Sequence, residues 1–290
     1  MESKSYLDIV KDSYFNYWNY LTSEILYPSW HNYFYWLIGL SIFVWLLEII
    51  LPWRKHQSFI RKDFWLDGFY MFFNFFLFSL IGYNAISDVG VNLFSDLLAQ
   101  VGIQNVVAIE ISSWPSWSKL VVLFVLADFI QWNTHRLLHR FPRLWEFHKL
   151  HHSVEEMGFA AHLRFHWMET VIYKSIQYIP LAMIGFGLQD FFIVHIISVI
   201  IGHLNHSNLN ITYGPFRYII NNPVMHIWHH AKDLDGRIYG VNFGLSLSIW
   251  DYLFGTAYIP YDGRDIVLGF EKMESYPKKF FKQIFYPFIK

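Results

Sequence analysis

No cysteine occurs anywhere in the chain. That absence excludes disulfides, thiolate metal ligands, cysteine-held iron–sulfur clusters and a cysteine nucleophile, so any metal must sit on nitrogen and oxygen. Charge is scarce as well: Asp, Glu, Lys and Arg make up 16% of the residues, below the roughly 25% usual for soluble domains. The two signs nearly cancel, to a formal net charge of -1, which removes the electrostatic footprint of a nucleic-acid binder. The opening stretch MESKSYLDIVKDSYFNYWNY lacks a cationic start, an apolar core and a small-residue cleavage site, so it does not read as a signal peptide. The first span is expected to act as its own insertion signal. Internal repeats and low-complexity linkers are also missing, and residues 118 to 255 read as one continuous unit.

Apolar residues fill the space the charges leave. They form 54% of the chain, and aromatic residues alone form 21%. With a positive mean hydropathy, this composition describes a multi-spanning membrane protein. Apolar runs fall at about 33 to 52, 65 to 87, 118 to 135 and 170 to 203, against a need of roughly 20 residues per spanning helix. Pro180 and the Gly185-Phe186-Gly187 turn, followed by Gln189 and Asp190, divide the last run into two short helices, a hairpin that enters and leaves on one side. A further stretch, 89 to 111, mixes apolar residues with Asp96, Gln100 and Gln104 and follows Asp88; it reads as an interfacial loop or helix.

Basic residues set the orientation. Arg54, Lys55, Arg61 and Lys62 follow the first span, and no Lys or Arg then appears until Lys119. The loop after the second span should therefore face away from the cytoplasm. Arg136, Arg140 and Arg143 mark the return of the third span, and Lys278, Lys279 and Lys282 mark a cytoplasmic tail.

Histidine is the residue type in which this sequence is most distinctive. Three boxes stand out: His135 and His139 in HRLLH; His148, His151 and His152 in HKLHH; His226, His229 and His230 in HIWHH. Neutral imidazole is the commonest protein ligand of transition metals. On a helix, positions i, i+3 and i+4 share a face, so each box is expected to present its imidazoles as a cluster toward one point. Eight such nitrogens exceed what one ion accepts, which asks for two metals. Phe141-Pro142 should break the helix between the first two boxes and let them converge. Further candidates are His206 and His203 in GHLNHSNLN, and His162 and His166 in AAHLRFHWME. Glu169, one turn from His166, and Asp128, two turns before His135, are candidates to accept the distal N–H of a ligand imidazole. His31, His56 and His195 read as structural.

The run DFIQWNTHRLLH, WEFHKLHHS, RFHWME, HIWHH, YGVNFG and WDYLFGT resembles the fatty acid hydroxylase superfamily, which includes the sterol desaturases; the likeness covers roughly residues 120 to 258. It implies an all-α, integral-membrane fold of about four transmembrane helices or near-spans, the last pair a short hairpin. A cytoplasmic, histidine-rich helical cap would hold a dinuclear metal site. It also implies two non-haem iron ions, dioxygen as co-substrate, an external electron carrier or reductase, and oxidation of a C–H bond in a lipid drawn from the bilayer. Residue by residue, the eight box histidines match the family's ligand boxes, and His206 matches its additional upstream histidine. Trp167 departs from the pattern, standing where related sequences commonly carry proline, and no haem-binding domain is fused to the chain as it is in some relatives. The resemblance divides the chain into 1–117 with the first two spans, 118–258 as the catalytic region, and 259–290 as the tail.

Hydroxylation is the expected outcome, with desaturation of a lipid or sterol as the alternative at the same site. Fatty acyl, sterol, ether-lipid and carotenoid substrates all stay open. A zinc-dependent membrane hydrolase is a weaker rival, because no HExxH occurs and Glu146 precedes His148 by two residues. A metal or haem transport protein is another, expected to carry its histidines at depth within the spans. A bacterial inner membrane is the expected location.

Overall fold

The computed structural model describes residues 5–102 and 111–290, and among these every regular element is a helix; no strand forms, only two isolated bridges, Ile220 with Leu247 and Ala231 with Leu268. Residues 103–110 of the stretch read as interfacial lie outside the described residues.

α1 (Tyr6–Leu26) starts at Ser5, whose hydroxyl accepts from the Asp8 N–H. α2 (Tyr33–Ile50) is apolar throughout except for Glu48, which accepts from the Phe159 and Asn208 N–H groups at 2.9 and 2.7 Å and so ties this helix to the region that follows the second box. The next helix is longer than the sequence suggests. α3 (Phe64–Phe72) leads through two π-helical turns into α4 (Asn84–Gln100), a run of 37 residues that is kinked at Gly82, where φ is 176° and ψ -17°. Wide π turns leave carbonyls without their usual partners. Tyr17 donates to Phe75 O and Phe76 O and Tyr14 donates to Ile81 O, which pins α1 along this helix.

Among the described residues, three helices are long and apolar enough to cross a membrane: Tyr33–Ile50, Phe64–Gln100 and Leu188–Asn205. The expected third span is helical, as α5 (Ser116–Arg140), and long enough, but Lys119, Asp128 and Gln131 dilute its apolar character and it is not among the three. It fits a near-span. Phe141 adopts an extended conformation, and Pro142 opens α6 (Pro142–His152) at the first helical position, where a missing N–H costs nothing.

The hairpin forms and turns in the Gly185–Gly187 segment, as expected, but Pro180 does not break the helix. α7 (Trp167–Tyr173), a π turn (Lys174–Tyr178) and α8 (Ile179–Met183) run on through Pro180, and the reversal comes at Gly185, with φ +101°, before α9 (Leu188–Asn205). Proline clashes with the carbonyl four residues back in an α-helix; the wider turn just ahead of it accommodates that ring. α9 packs on α2 and α5. Large aromatic side chains stand outward near helix starts, with Trp30 81%, Trp65 74% and Trp117 70% exposed, as in the interfacial belts of membrane proteins. Three short helices complete the chain: α10 (Pro223–His229), α11 (Ile249–Leu253) and α12 (Phe280–Phe285).

Candidate metal centre

Nine of the 15 histidines gather into two groups that could each hold a metal ion. His135 and His139 from α5, His148 and His152 from α6, and His229 from α10 form the first; His151 from α6, His206 at the end of α9, and His226 and His230 from α10 form the second. Candidate ligand atoms within each group lie within 4.8 Å of one another. The groups are adjacent, with the His152 and His230 rings stacked at a centroid distance of 4.5 Å.

The expectation that each box clusters toward one point needs correcting. In HKLHH, the i and i+4 histidines (His148, His152) join the first group while the i+3 histidine (His151) joins the second. In HIWHH the assignment reverses: His226 and His230 join the second and His229 the first. Successive helical residues diverge by about 100°, since 3.6 fill a turn. Neighbouring histidines in such a box must aim at different centres, so α6 and α10 each feed both groups.

Hydrogen bonds fix which nitrogen faces inward. Carbonyl or carboxylate oxygens sit at 2.8–3.2 Å from the Nδ1 atoms of His135 (Phe243 O), His148 (Glu169 Oε2), His151 (Arg164 O), His206 (Gly202 O) and His229 (Val241 O). A backbone carbonyl only accepts, so Nδ1 of His135, His151, His206 and His229 carries the proton and Nε2 turns a lone pair into the cluster; an ionised Glu169 sets His148 the same way. His135 Nε2 and His148 Nε2 then face each other at 2.9 Å, and His151 Nε2 and His206 Nε2 at 3.2 Å, with no proton between them. His139 Nε2 and both ring nitrogens of His230 are buried with no protein partner. Converging lone pairs repel and orphaned buried nitrogens are costly; a cation among them resolves both. The donor set therefore fits two transition-metal ions bound by nitrogen. Burial holds His139, His148, His151, His152, His226, His229 and His230 well below the usual imidazole pKa, which keeps them neutral and ligand-competent.

The remaining candidates separate clearly. Glu169 is buried, bonds the His148 Nδ1–H at 2.8 Å and caps α7 by accepting from the His166 N–H. Asp128 does not touch an imidazole. It accepts from Ser246 N, Leu247 N and Trp250 Nε1 at 2.9–3.2 Å, so its oxygens are taken up by the segment that follows the third box. His166, His203 and His162 stand outside both groups. His166 is used at both nitrogens, by Met168 N and Ile284 O, and His203 pairs with His162 on one side and Ser41 on the other. Trp167 opens α7 at its first position, where proline also fits because the N–H has no helical partner.

Several residues that organise the centre carried no metal-ligand signature. Asp251 accepts from Phe243 N, Gly244 N, Trp132 Nε1 and Thr256 Oγ1 at 2.6–3.0 Å. It thereby fixes the loop whose Val241 and Phe243 carbonyls hold His229 and His135. Its only sequence signal was the WDYLFGT stretch. Asp67, fully buried, pairs with Arg61 and Arg164, and the Arg164 carbonyl holds His151. Below the histidines, a cavity of about 200 Å³ is bordered by members of both groups, among them His135, His148, His151, His206 and His226. Phe75, Phe165, Phe191, Val194 and Val199 supply apolar wall.

The sequence profile of the fatty acid hydroxylase family matches residues 120–256. The chain is 37% identical over 148 residues to an ornithine lipid hydroxylase of Rhizobium tropici, an alignment covering 51% of this chain and 44% of that protein. It is 32% identical over 150 residues to the human alkylglycerol monooxygenase, covering 50% and 31%. A very-long-chain aldehyde decarbonylase of Oryza sativa subsp. japonica is 27% identical over 142 residues, covering 48% and 46%. The matched region thus spans less than half the length of each relative. No solved structure matches the chain significantly. Every histidine of both groups falls inside residues 120–256, the segment that matches the fatty acid hydroxylase family.

Proposed function

We propose that the protein is a multi-pass membrane oxygenase that hydroxylates a C–H bond of a lipid. The observation that carries this reading is the pair of adjacent, all-histidine groups bordering one largely apolar cavity. A hydrolytic zinc site keeps few protein ligands and a catalytic acid beside an open position; here nine imidazoles converge and the nearest acid, Glu169, is committed to His148. We assign His135, His139, His148, His152 and His229 to one ion and His151, His206, His226 and His230 to the other. Two iron ions there would supply the redox chemistry that activates dioxygen with electrons from an external carrier, a capacity zinc lacks.

The protein's own residues have distinct tasks in this scheme. Backbone carbonyls of residues 164, 202, 241 and 243 and the Glu169 carboxylate orient the imidazoles, so the metal-facing nitrogens are set before any ion arrives. Asp128 and Asp251 anchor the loop behind them. Apolar walls admit a lipid segment and exclude water from the reacting carbon. The names of the relatives, a lipid hydroxylase and a monooxygenase, favour hydroxylation over desaturation. The distribution of Lys and Arg supports a metal centre on the cytoplasmic side of a bacterial inner membrane.

Comparing lipids of aerobically grown cells with and without the protein tests the reading. A new hydroxylated species, 16 mass units heavier by about one oxygen atom and absent without oxygen, is expected. A lipid profile unchanged by expression of iron-loaded protein would overturn it.

A further inference from the structure

Lys174 is the only Lys or Arg between Arg164 and Arg217, and it sits in the π turn of the hairpin. It lines the cavity on the face that also carries Glu169, Thr170, Tyr173, Gln177 and Tyr178. Among the described residues its ammonium forms no ion pair; the contact it makes is with the Tyr83 ring, 4.6 Å from the centroid. The two carboxylates that border the cavity are already engaged, Glu169 by His148 and the His166 N–H, and Asp128 by Ser246, Leu247 and Trp250. Among the described charged groups that line the cavity, Lys174 is therefore the one without a polar partner. One helical turn closer to the histidines, the buried Thr170 hydroxyl also lines the cavity and has no hydrogen-bond partner. A cation within an apolar segment is costly unless something pairs with it.

We propose that Lys174, assisted by the Thr170 hydroxyl, binds an anionic oxygen group of the lipid, a carboxylate or phosphate, and so selects charged over neutral substrates. This rests on the lipid oxygenase reading and names its substrate class. Five residues separate Lys174 from Glu169, about 7 Å along a helix axis. An anion at Lys174 places the carbons a few bonds from the charge in front of the histidines, instead of a remote chain end.

The test is scintillation-proximity binding to purified, iron-loaded protein in detergent, with tritiated palmitate and tritiated methyl palmitate as probes. Wild type should bind the acid about tenfold or more tightly than the ester, the range of a hydrogen bond to a charged group. Lys174→Gln and Lys174→Met should abolish that preference without weakening the ester, Lys174→Arg should keep it, and Thr170→Val should reduce it. A role in packing alone would weaken both probes equally. Displacement of palmitate by hexadecyl phosphate supports a site for either anion, and its failure supports one for carboxylates. Equal binding of acid and ester by wild type, or a preference that survives Lys174→Gln, overturns the proposal. Iron content and oxygen-dependent lipid oxidation, measured on the same preparation, separate the two readings: their persistence beside equal binding defeats the role of Lys174 alone, and their absence defeats the oxygenase.

Discussion

Replacing Glu169 with alanine tests a residue that, in the proposed site, would orient a ligand without touching the metal. Its Oε2 accepts the His148 Nδ1–H at 2.8 Å, and both side chains are nearly sealed from solvent, at 2% and 3% exposure. Alanine leaves a buried N–H without an acceptor, at about 1–3 kcal/mol, and frees the imidazole to rotate or change tautomer. Losing such a partner lowers metal affinity about 10- to 100-fold, or about 1.4–2.8 kcal/mol. Glu169→Gln keeps an acceptor oxygen of the same reach and should retain affinity far better than Glu169→Ala. Glutamine has one acceptor oxygen for the two donors that Glu169 serves, so thermal unfolding, which reads the α7 cap, is measured beside metal affinity, which reads His148. The assay is equilibrium dialysis of purified protein against graded chelator, with metal counted per chain. An alanine variant that holds metal as tightly as wild type, or a glutamine variant equally impaired, would refute the reasoning.

Three further outcomes follow from the geometry. His229→Ala and His226→Ala remove one nitrogen from the first and second groups respectively; each should lower metal content and abolish lipid oxidation, and full iron with full turnover in either would contradict its assignment. Gly240→Ala should loosen metal binding through His139, because φ is +85° and the added Cβ would lie 2.9 Å from His139 Nδ1; Gly236→Ala, at φ +77° with nothing within 4 Å, bears backbone strain alone and should spare the metal. Asp251→Ala strands buried donors around the 241–251 loop, and at about 1–3 kcal/mol for each such group the unfolding midpoint in detergent should fall by several degrees; an unchanged midpoint would show that the loop is held otherwise.

The centre was legible in the sequence to the extent that local spacing governs it. Imidazoles at i, i+3 and i+4 announce a helix face, and Pro142 announces the bend that brings α5 and α6 to one place. Spacing does not say how many targets a face serves, and the 100° between adjacent residues, not their shared face, decided that His151 and His152 part company. Asp128 shows a second limit. Its helical phase matches His135, yet partners are chosen by what else packs nearby, and a loop more than a hundred residues later took its oxygens. Pro180 was read as a break because proline ends α-helices, whereas a π turn let the helix continue. The cavity, and the place of Lys174 within it, depends on segments far apart in the sequence meeting, which no local pattern encodes.

The central claim is that two adjacent groups of histidines hold two redox-active ions. Elemental analysis of the purified wild-type protein by inductively coupled plasma mass spectrometry tests it most directly. The account predicts about two irons per chain, as expected when two groups of imidazole nitrogens each bind one ion. A single metal, a tightly held zinc pair, or one haem would contradict it.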